Sequence, residues 1–393
     1  MPGQETGVGG TLETRYPIIR PTLPEPEELL DELRAVMASG RVTVGEQVAA
    51  LEKQVCDRTG VEHAVAVSSA TSGLMILIRA LDLPAGSEVI TPSFTFAATS
   101  HALLWNGLKP VFCDCEPDSF TMDTSLIDGL ITPRTSAIYP VCVFGVPGDL
   151  DVYAEIAGRR RLALFYDTAQ GLGSTYKGRP LGGFGSGEVF SMSPTKVVTA
   201  IEGGLVTTND ESLARRVRSM RDYGKGPDGQ DMLHLGLSAR MSEINALVAR
   251  WSLARIDYWI AARESLVQRY QARLRQITGL RFQEVPSWCT SSRNYCVILL
   301  DPEKAPVTRD ELLAGLEEEG IQTKRYFHPP LHQQTLYRDL GLTRNGGLSV
   351  SEAVSASSLA LPLYSHMSVE AVDEICDRIL DICAGKREGG LSL

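Results

Sequence analysis

The sequence predicts an α/β fold: a parallel sheet between helices in a large first domain, followed by a smaller α+β domain. Three observations carry this. Short apolar runs of strand length (HAVAV, EVIT, KPVFC) alternate with stretches of helical period such as LMILIRAL. LALFYD, an apolar run closing on Asp167, reads as a buried parallel strand with a carboxylate at its C-terminal end. After about residue 255 strands (NYCVILL, IQTKRYF) and helices (DELLAGLEEEG, VEAVDEICDRILDIC) mix in a shorter unit. A chain of 393 residues is long enough for two such domains.

Taken in order, residues 1–14 are Gly-rich and polar and predict a flexible arm ahead of a large domain over 15–255 and a small one over 256–393. EPEELLDELRAVM has helical apolar spacing with acids in its first turn, where the helix dipole favours them. A second amphipathic helix ends at Gly60. HAVAVSS then leads through Ala70, Thr71, Ser72 and Gly73 into an apolar helix. A strand, a hydroxyl-bearing turn and a helix start form a natural anion cup, because the first helical N–H groups lack partners. Read alone, the same hydroxyls serve equally well as an ordinary helix cap. Phe96 lies just past strand EVIT, where a flat ring can cover a ligand or pack in the core.

The stretch from Asp167 to Gly204 holds the chemistry. EVFSM leads into a hydroxyl-rich turn with Ser191, Ser193 and Thr195, then Lys196, an apolar VVTAI, and the pair Gly203 and Gly204. Lysine is rarely enclosed by apolar neighbours without a task. Such surroundings favour the neutral, nucleophilic amine that Schiff-base chemistry needs. DYGKGPDGQD reads as an exposed loop, and a long helical stretch after it carries the domain boundary.

SPTKVVTAIEGG resembles the lysine motif of the DegT/StrS family of pyridoxal-phosphate nucleotide-sugar aminotransferases, and YDTAQGLGS resembles that family's motif upstream of it. SSATSGLMILIRAL, PSFTFAATSHALLWNGLKPVFCD, GLSARMSEINA, PPLHQQTLY and LALPLYSHMS are similar to further family blocks, in the family's order, from about Tyr16 to about Leu380. The resemblance implies the type I fold of pyridoxal-phosphate-dependent transferases, with a mostly parallel seven-stranded sheet. It implies that Lys196 holds the cofactor aldehyde and then carries a proton as base and acid, and that Asp167 sits at the ring nitrogen. Ala70, Thr71 and Ser191 would hold the phosphate, Phe96 would stack on the ring, and Gln170 would meet the ring hydroxyl. Ser238 stands where many members have an Asn that reaches the neighbouring subunit's phosphate, and Arg240 is the basic group near it. Ser193 replaces a common His.

By the same resemblance the reaction is a ping-pong transfer of the amino group of L-glutamate, through the pyridoxamine form, to an NDP-keto-deoxysugar. The expected acceptor is a dTDP-4-keto-6-deoxyhexose of amino-sugar or antibiotic biosynthesis, and the expected working unit is a homodimer with shared active sites. Lys324 and Arg325 are candidate contacts for the acceptor's diphosphate. A keto-inositol or a 3-keto sugar as acceptor, or a regulator that binds the cofactor without turnover, are the competing readings. The sequence weighs against other classes. A net charge of −10 opposes sequence-independent nucleic-acid binding. No G-x-G-x-x-G follows an early strand. The eight cysteines show no CxxC spacing, so no metal site is expected. No apolar run approaches the roughly 18–20 residues that span a bilayer, and a cytoplasmic location is expected.

Overall fold

The computed structural model describes residues 14–342 and 347–385. The expected arm lies outside them save for Thr14, as does the tail after Gly385. The described chain opens with helices α1 (Leu30–Ser39) and α2 (Glu46–Thr59), the second stopped by Gly60 in the left-handed region at φ 75°. Strand and helix then alternate: β1 (His63–Val67), α3 (Ala70–Ala80), β2 (Glu88–Pro92), α4 (Ala97–Trp105), β3 (Lys109–Cys113), α5 (Thr124–Leu130), β4 (Thr135–Ile138) and α6 (Leu150–Arg160). LALFYD forms β5 (Ala163–Leu164) and β6 (Tyr166–Asp167), one extended run parted at Phe165.

A side hairpin, β7 (Thr175–Tyr176) and β8 (Arg179–Pro180), precedes β9 (Glu188–Ser191) and β10 (Gly204–Thr208). Two ladders, β3-β2-β4-β5 and β6-β9-β10-β1, meet at the β5–β6 run and make seven strands among the described residues. β10 pairs antiparallel with both neighbours, and every other pairing in the two ladders is parallel. The expected mostly parallel, seven-stranded sheet is therefore present.

Both faces of this sheet are covered, which is why its strands read as unbroken apolar runs. Ala64, Ala66, Phe190 and Leu205 join one core with Leu51 and Val55 of α2. Their neighbours Val65, Val67, Val189 and Val206 point the other way into a core with Leu74 and Leu77 of α3.

Helices α7 (Glu211–Met220), α8 (Glu243–Leu253) and α9 (Ile256–Leu274) follow. An antiparallel sheet of β11 (Leu280–Phe282), β13 (Cys296–Leu300) and β14 (Ser358–Leu361) forms a further core with α9, α10 (Arg309–Glu318) and α11 (Val369–Cys383). β12 (Cys289–Thr290) pairs instead with β7. The first described residues sit on this later core: the Arg15 N–H donates to Gly320 O at 2.9 Å, and the Gln322 N–H donates to Tyr16 O at 2.8 Å. No helix among the described residues is long and apolar enough to cross a membrane.

Candidate active site

The C-terminal ends of the parallel strands open into one cavity of about 340 Å³. At the end of β1, Ser69 caps α3: its Oγ accepts the Ser72 N–H at 3.1 Å, and Ser72 Oγ accepts the Ser69 N–H at 3.2 Å. Both readings of this turn hold. Ser69 and Ser72 cap the helix, and Ser69 lines the cavity together with Ala70 and Thr71, whose N–H groups have no intrahelical acceptor. The antiparallel strand runs directly beneath. A Cβ on Gly204 would stand 2.6 Å from Ala70 N and 2.7 Å from Ser69 C, so only glycine lets β10 pass under the cup.

Asp167, 4% exposed, lies in the cavity at the end of β6. Its Oδ2 accepts the Thr99 hydroxyl at 2.7 Å and its Oδ1 accepts the Ala169 N–H at 3.0 Å. Burial pushes its carboxyl upward, opposed by those two donors and by the Lys196 ammonium. Gln170 Oε1 accepts the Phe144 N–H at 2.6 Å, which fixes the amide and leaves its NH2 end for a ligand. Ser191 Oγ accepts the Ser193 N–H at 3.3 Å. Phe96, at the N-cap of α4, lines the cavity with its ring 63% exposed, so it is not a core residue of this chain. Lys196 is half-buried, with Nζ 5.9 Å from the centroid of the Tyr295 ring.

The DegT/DnrJ/EryC1/StrS aminotransferase family model matches residues 24–380. The chain belongs to this family. It is therefore a pyridoxal-phosphate-dependent aminotransferase, and its fold is that of the type I enzymes. The chain is similar to DesI, whose crystal structure was determined in the presence of its TDP-sugar product: 32% identity, 96% of this chain and 95% of that one, TM-score 0.89. It is similar to a DegT/DnrJ/EryC1/StrS aminotransferase from Brucella abortus, at 31% identity over 90% and 96% of the two chains, TM-score 0.82. S. venezuelae DesV is 30% identical over 93% and 99%, with a TM-score of 0.84.

In this aminotransferase eight of the sequence-derived site residues share the cavity: Ala70, Thr71, Phe96, Asp167, Gln170, Ser191, Lys196 and Lys324. Three do not. Arg325 turns away and meets Asp310 at 3.5 Å. The reason is the period of two in an extended segment. Lys324 pairs with Ala360 of β14 as in a strand, so Lys324 and Tyr326 face the cavity and Arg325 the opposite side. Ser238 is exposed, bridged to Asp222, and Arg240 reaches Asp222 at 3.4 Å. Neither lines the cavity of its own chain.

The sequence reading missed Thr99, Tyr295 and Tyr326. Thr99 had a weak signal, a hydroxyl in the first turn of the helix that follows Phe96. Tyr295 and Tyr326 had none, since nothing local ties them to a lysine about a hundred residues upstream.

Proposed function

We propose that this aminotransferase moves the amino group of L-glutamate to the ketone of an NDP-keto-deoxysugar, a dTDP-4-keto-6-deoxyhexose being the leading acceptor, by a ping-pong mechanism. The observation that carries this is the joint placement of Lys196, Asp167 and the α3 cup in one cavity. The TDP-sugar product of DesI supports the nucleotide-sugar acceptor.

The residues fit the cofactor. A buried carboxylate without a full counter-charge favours a cation beside it, which a protonated ring nitrogen provides. Free N–H groups at a helix start suit a phosphate. Pyridoxal phosphate, when bound, supplies the aldehyde that takes up nitrogen and the ring that withdraws electrons from the substrate's Cα.

Lys196 Nζ would hold that aldehyde and, once displaced by the donor's amine, would take the proton from the donor's Cα and give it up again within the same half-reaction. Asp167 keeps the ring nitrogen protonated. Ala70, Thr71 and the Ser191 hydroxyl would hold the phosphate, Phe96 would cover one ring face, and the Gln170 NH2 would donate to the ring oxygen. Lys324 supplies positive charge to the acceptor's diphosphate. Ser238 and Arg240 act from the partner subunit in a homodimer, which accounts for their distance from the cavity of their own chain. The enzyme works in the cytoplasm, in amino-sugar or antibiotic biosynthesis, with the domain boundary near residue 255.

The test is absorbance of the cofactor-loaded protein before and after L-glutamate, followed by mass spectrometry of products from a dTDP-4-keto sugar, its 3-keto isomer and a keto-inositol. Loss of the visible band and an amino product from the 4-keto sugar are expected. Product from keto-inositol alone would replace the acceptor; a band that glutamate never discharges would sink the donor.

A further inference from the structure

Thr99 sits in the first turn of α4, fully buried, behind the cavity wall that Thr95 and Asp167 line. A threonine in a helix often returns its hydroxyl to a backbone carbonyl one turn back. This one reaches across 68 residues instead and meets Asp167 Oδ2 at 2.7 Å. The Thr95 hydroxyl lies 3.0 Å from the same Thr99 oxygen. The direction of the pair is forced. An ionised carboxylate only accepts, so the single Thr99 hydroxyl hydrogen points at Oδ2, and the Thr99 oxygen takes the hydrogen of Thr95. Thr95 is itself held: its N–H donates to Ser93 O at 3.0 Å, and Phe94 beside it packs edge-on to Phe120, Phe144 and Phe327 with centroids 5.5–6.1 Å apart. On the other carboxylate oxygen, Oδ1, the Ala169 N–H donates at 3.0 Å.

We propose that Thr99, backed by Thr95, is a positioning residue for Asp167: the two hydroxyls fix Oδ2 and keep the carboxylate charged in a buried site. Burial pushes that carboxyl upward, and the Thr99 hydroxyl leads the groups that oppose it. The other titratable groups facing it are Lys196, Tyr139 and Cys142. Burial holds the phenol and the thiol neutral, so of these only Lys196 carries charge. Lys196 gives up its free ammonium when it takes the cofactor aldehyde, whereas the hydroxyls donate before and after. The role presupposes Asp167 as the partner of the ring nitrogen.

The first test is independent of turnover. In full-length protein stripped of cofactor and carrying isotope-labelled aspartate, the Asp167 carboxyl resonance, identified by its loss in Asp167→Asn, is followed against pH. Thr99→Val keeps the shape of the side chain and removes its hydroxyl. There the carboxyl should titrate about one unit or more above the parent, and in Thr95→Val by a smaller step in the same direction. Thr99→Ser should titrate with the parent. In the loaded enzyme, Thr99→Val should keep its visible band while the glutamate half-reaction slows about tenfold near neutral pH. The rate should recover as pH rises, because a carboxyl with a raised pKa regains its charge there, and Thr99→Ser should restore it at every pH.

An unchanged Asp167 titration in Thr99→Val overturns the proposal. So does a Thr99→Ser variant that shares the defect, because the loss would then belong to the packing of the methyl group. If Thr99→Val does not fold, Thr95→Val decides by the direction of its shift. A shifted carboxyl in the stripped protein, with an unimpaired half-reaction in Asp167→Asn, would overturn the ring-nitrogen reading and leave the hydroxyl pair standing.

Discussion

Two buried carboxylates on adjacent strands have opposite fates. In the β6–β9 register Tyr166 stands beside Glu188 and Asp167 beside Val189, so the two acids are one step apart along the sheet. Asp167 is 4% exposed and Glu188 1%. Burial pushes both upward, Glu188 to about 7. Asp167, at the C-terminal end of its strand, opens into the cavity and faces Lys196. Glu188, at the N-terminal end of the next, is closed in: its Oε1 accepts the Gly182 and Phe184 N–H groups at 2.7 and 2.8 Å and fastens that loop to the sheet. Burial and a shifted carboxyl therefore do not mark a functional acid in this fold. Access to the ligand crevice at the strand ends does.

Substitution at the cavity should break this pairing most sharply. Lys196→Ala removes the amine, and Asp167→Asn replaces the charge proposed to hold a proton on the ring nitrogen. Each should lower the glutamate half-reaction by about 10²–10⁴-fold, while Glu188→Gln leaves it within about twofold. Stopped-flow absorbance of the loaded proteins checks this. In the stripped protein Asp167→Asn should be at least as resistant to urea as the parent, since it removes a buried charge. A large loss of rate in Glu188→Gln with normal stability would erase the distinction.

The closed acid should instead dominate the pH dependence of stability. Glu188 is raised to about 7 in the folded protein, against about 4.3 in an unfolded chain. Between those values the folded state holds a proton that the unfolded state has lost. Stability is thus full below the unfolded value and is lost as pH rises to the folded one, by about 4 kcal/mol in all. Asp167 adds a contribution of the same sign. Urea unfolding from about pH 5 to 9 should show the decline in the parent and a flatter profile in Glu188→Gln, whose amide stays neutral throughout.

The cavity's half of the comparison was largely legible in the sequence. Lys196, Asp167 and the α3 turn are local signals: an odd residue in apolar surroundings, a carboxylate at a strand end, a strand-to-helix turn. What was illegible depends on pairings between distant segments. Thr99 holds Asp167 across 68 residues, and Tyr295 reaches Lys196 from the start of β13. Glu188 reads as the polar edge of EVFSM until the Gly182–Phe184 loop closes over it. The antiparallel course of β10 is hidden as well, because an apolar run buried on both faces looks the same in either direction. Arg325 was misplaced for a simpler reason: charge alone does not say which way an alternating segment turns each side chain.

Gly204 tests how closely the cup depends on the strand beneath it. A Cβ there meets backbone atoms of Ser69 and Ala70 at 2.6–2.7 Å, which cannot move without tilting the start of α3. Gly204→Ala should cost about 1–3 kcal/mol of stability by overpacking. It should also weaken cofactor binding about tenfold, measured by titrating pyridoxal phosphate into the stripped protein. Affinity unchanged alongside lost stability would show that the cup's N–H groups do not hold the phosphate.

The smallest expected effect concerns strain on the cavity side. Ile201 has φ 65°, and the Glu202 N–H donates to Ala200 O at 2.8 Å across it, forming a tight three-residue turn. A β-branched residue in the left-handed region costs about 1–2 kcal/mol. This turn delivers Glu202 and Gly203 to the cavity wall. The Ile201 side chain is 46% exposed, so little burial is lost on removing it. Ile201→Gly relieves the strain but loosens the unfolded chain by up to about 1 kcal/mol, leaving a net gain of about 0.5–1 kcal/mol in urea unfolding. Ile201→Ala separates backbone from side chain, because alanine keeps most of the left-handed penalty. A gain in Ile201→Gly without one in Ile201→Ala assigns the strain to the backbone turn at the cavity; equal gains assign it to the isoleucine side chain instead.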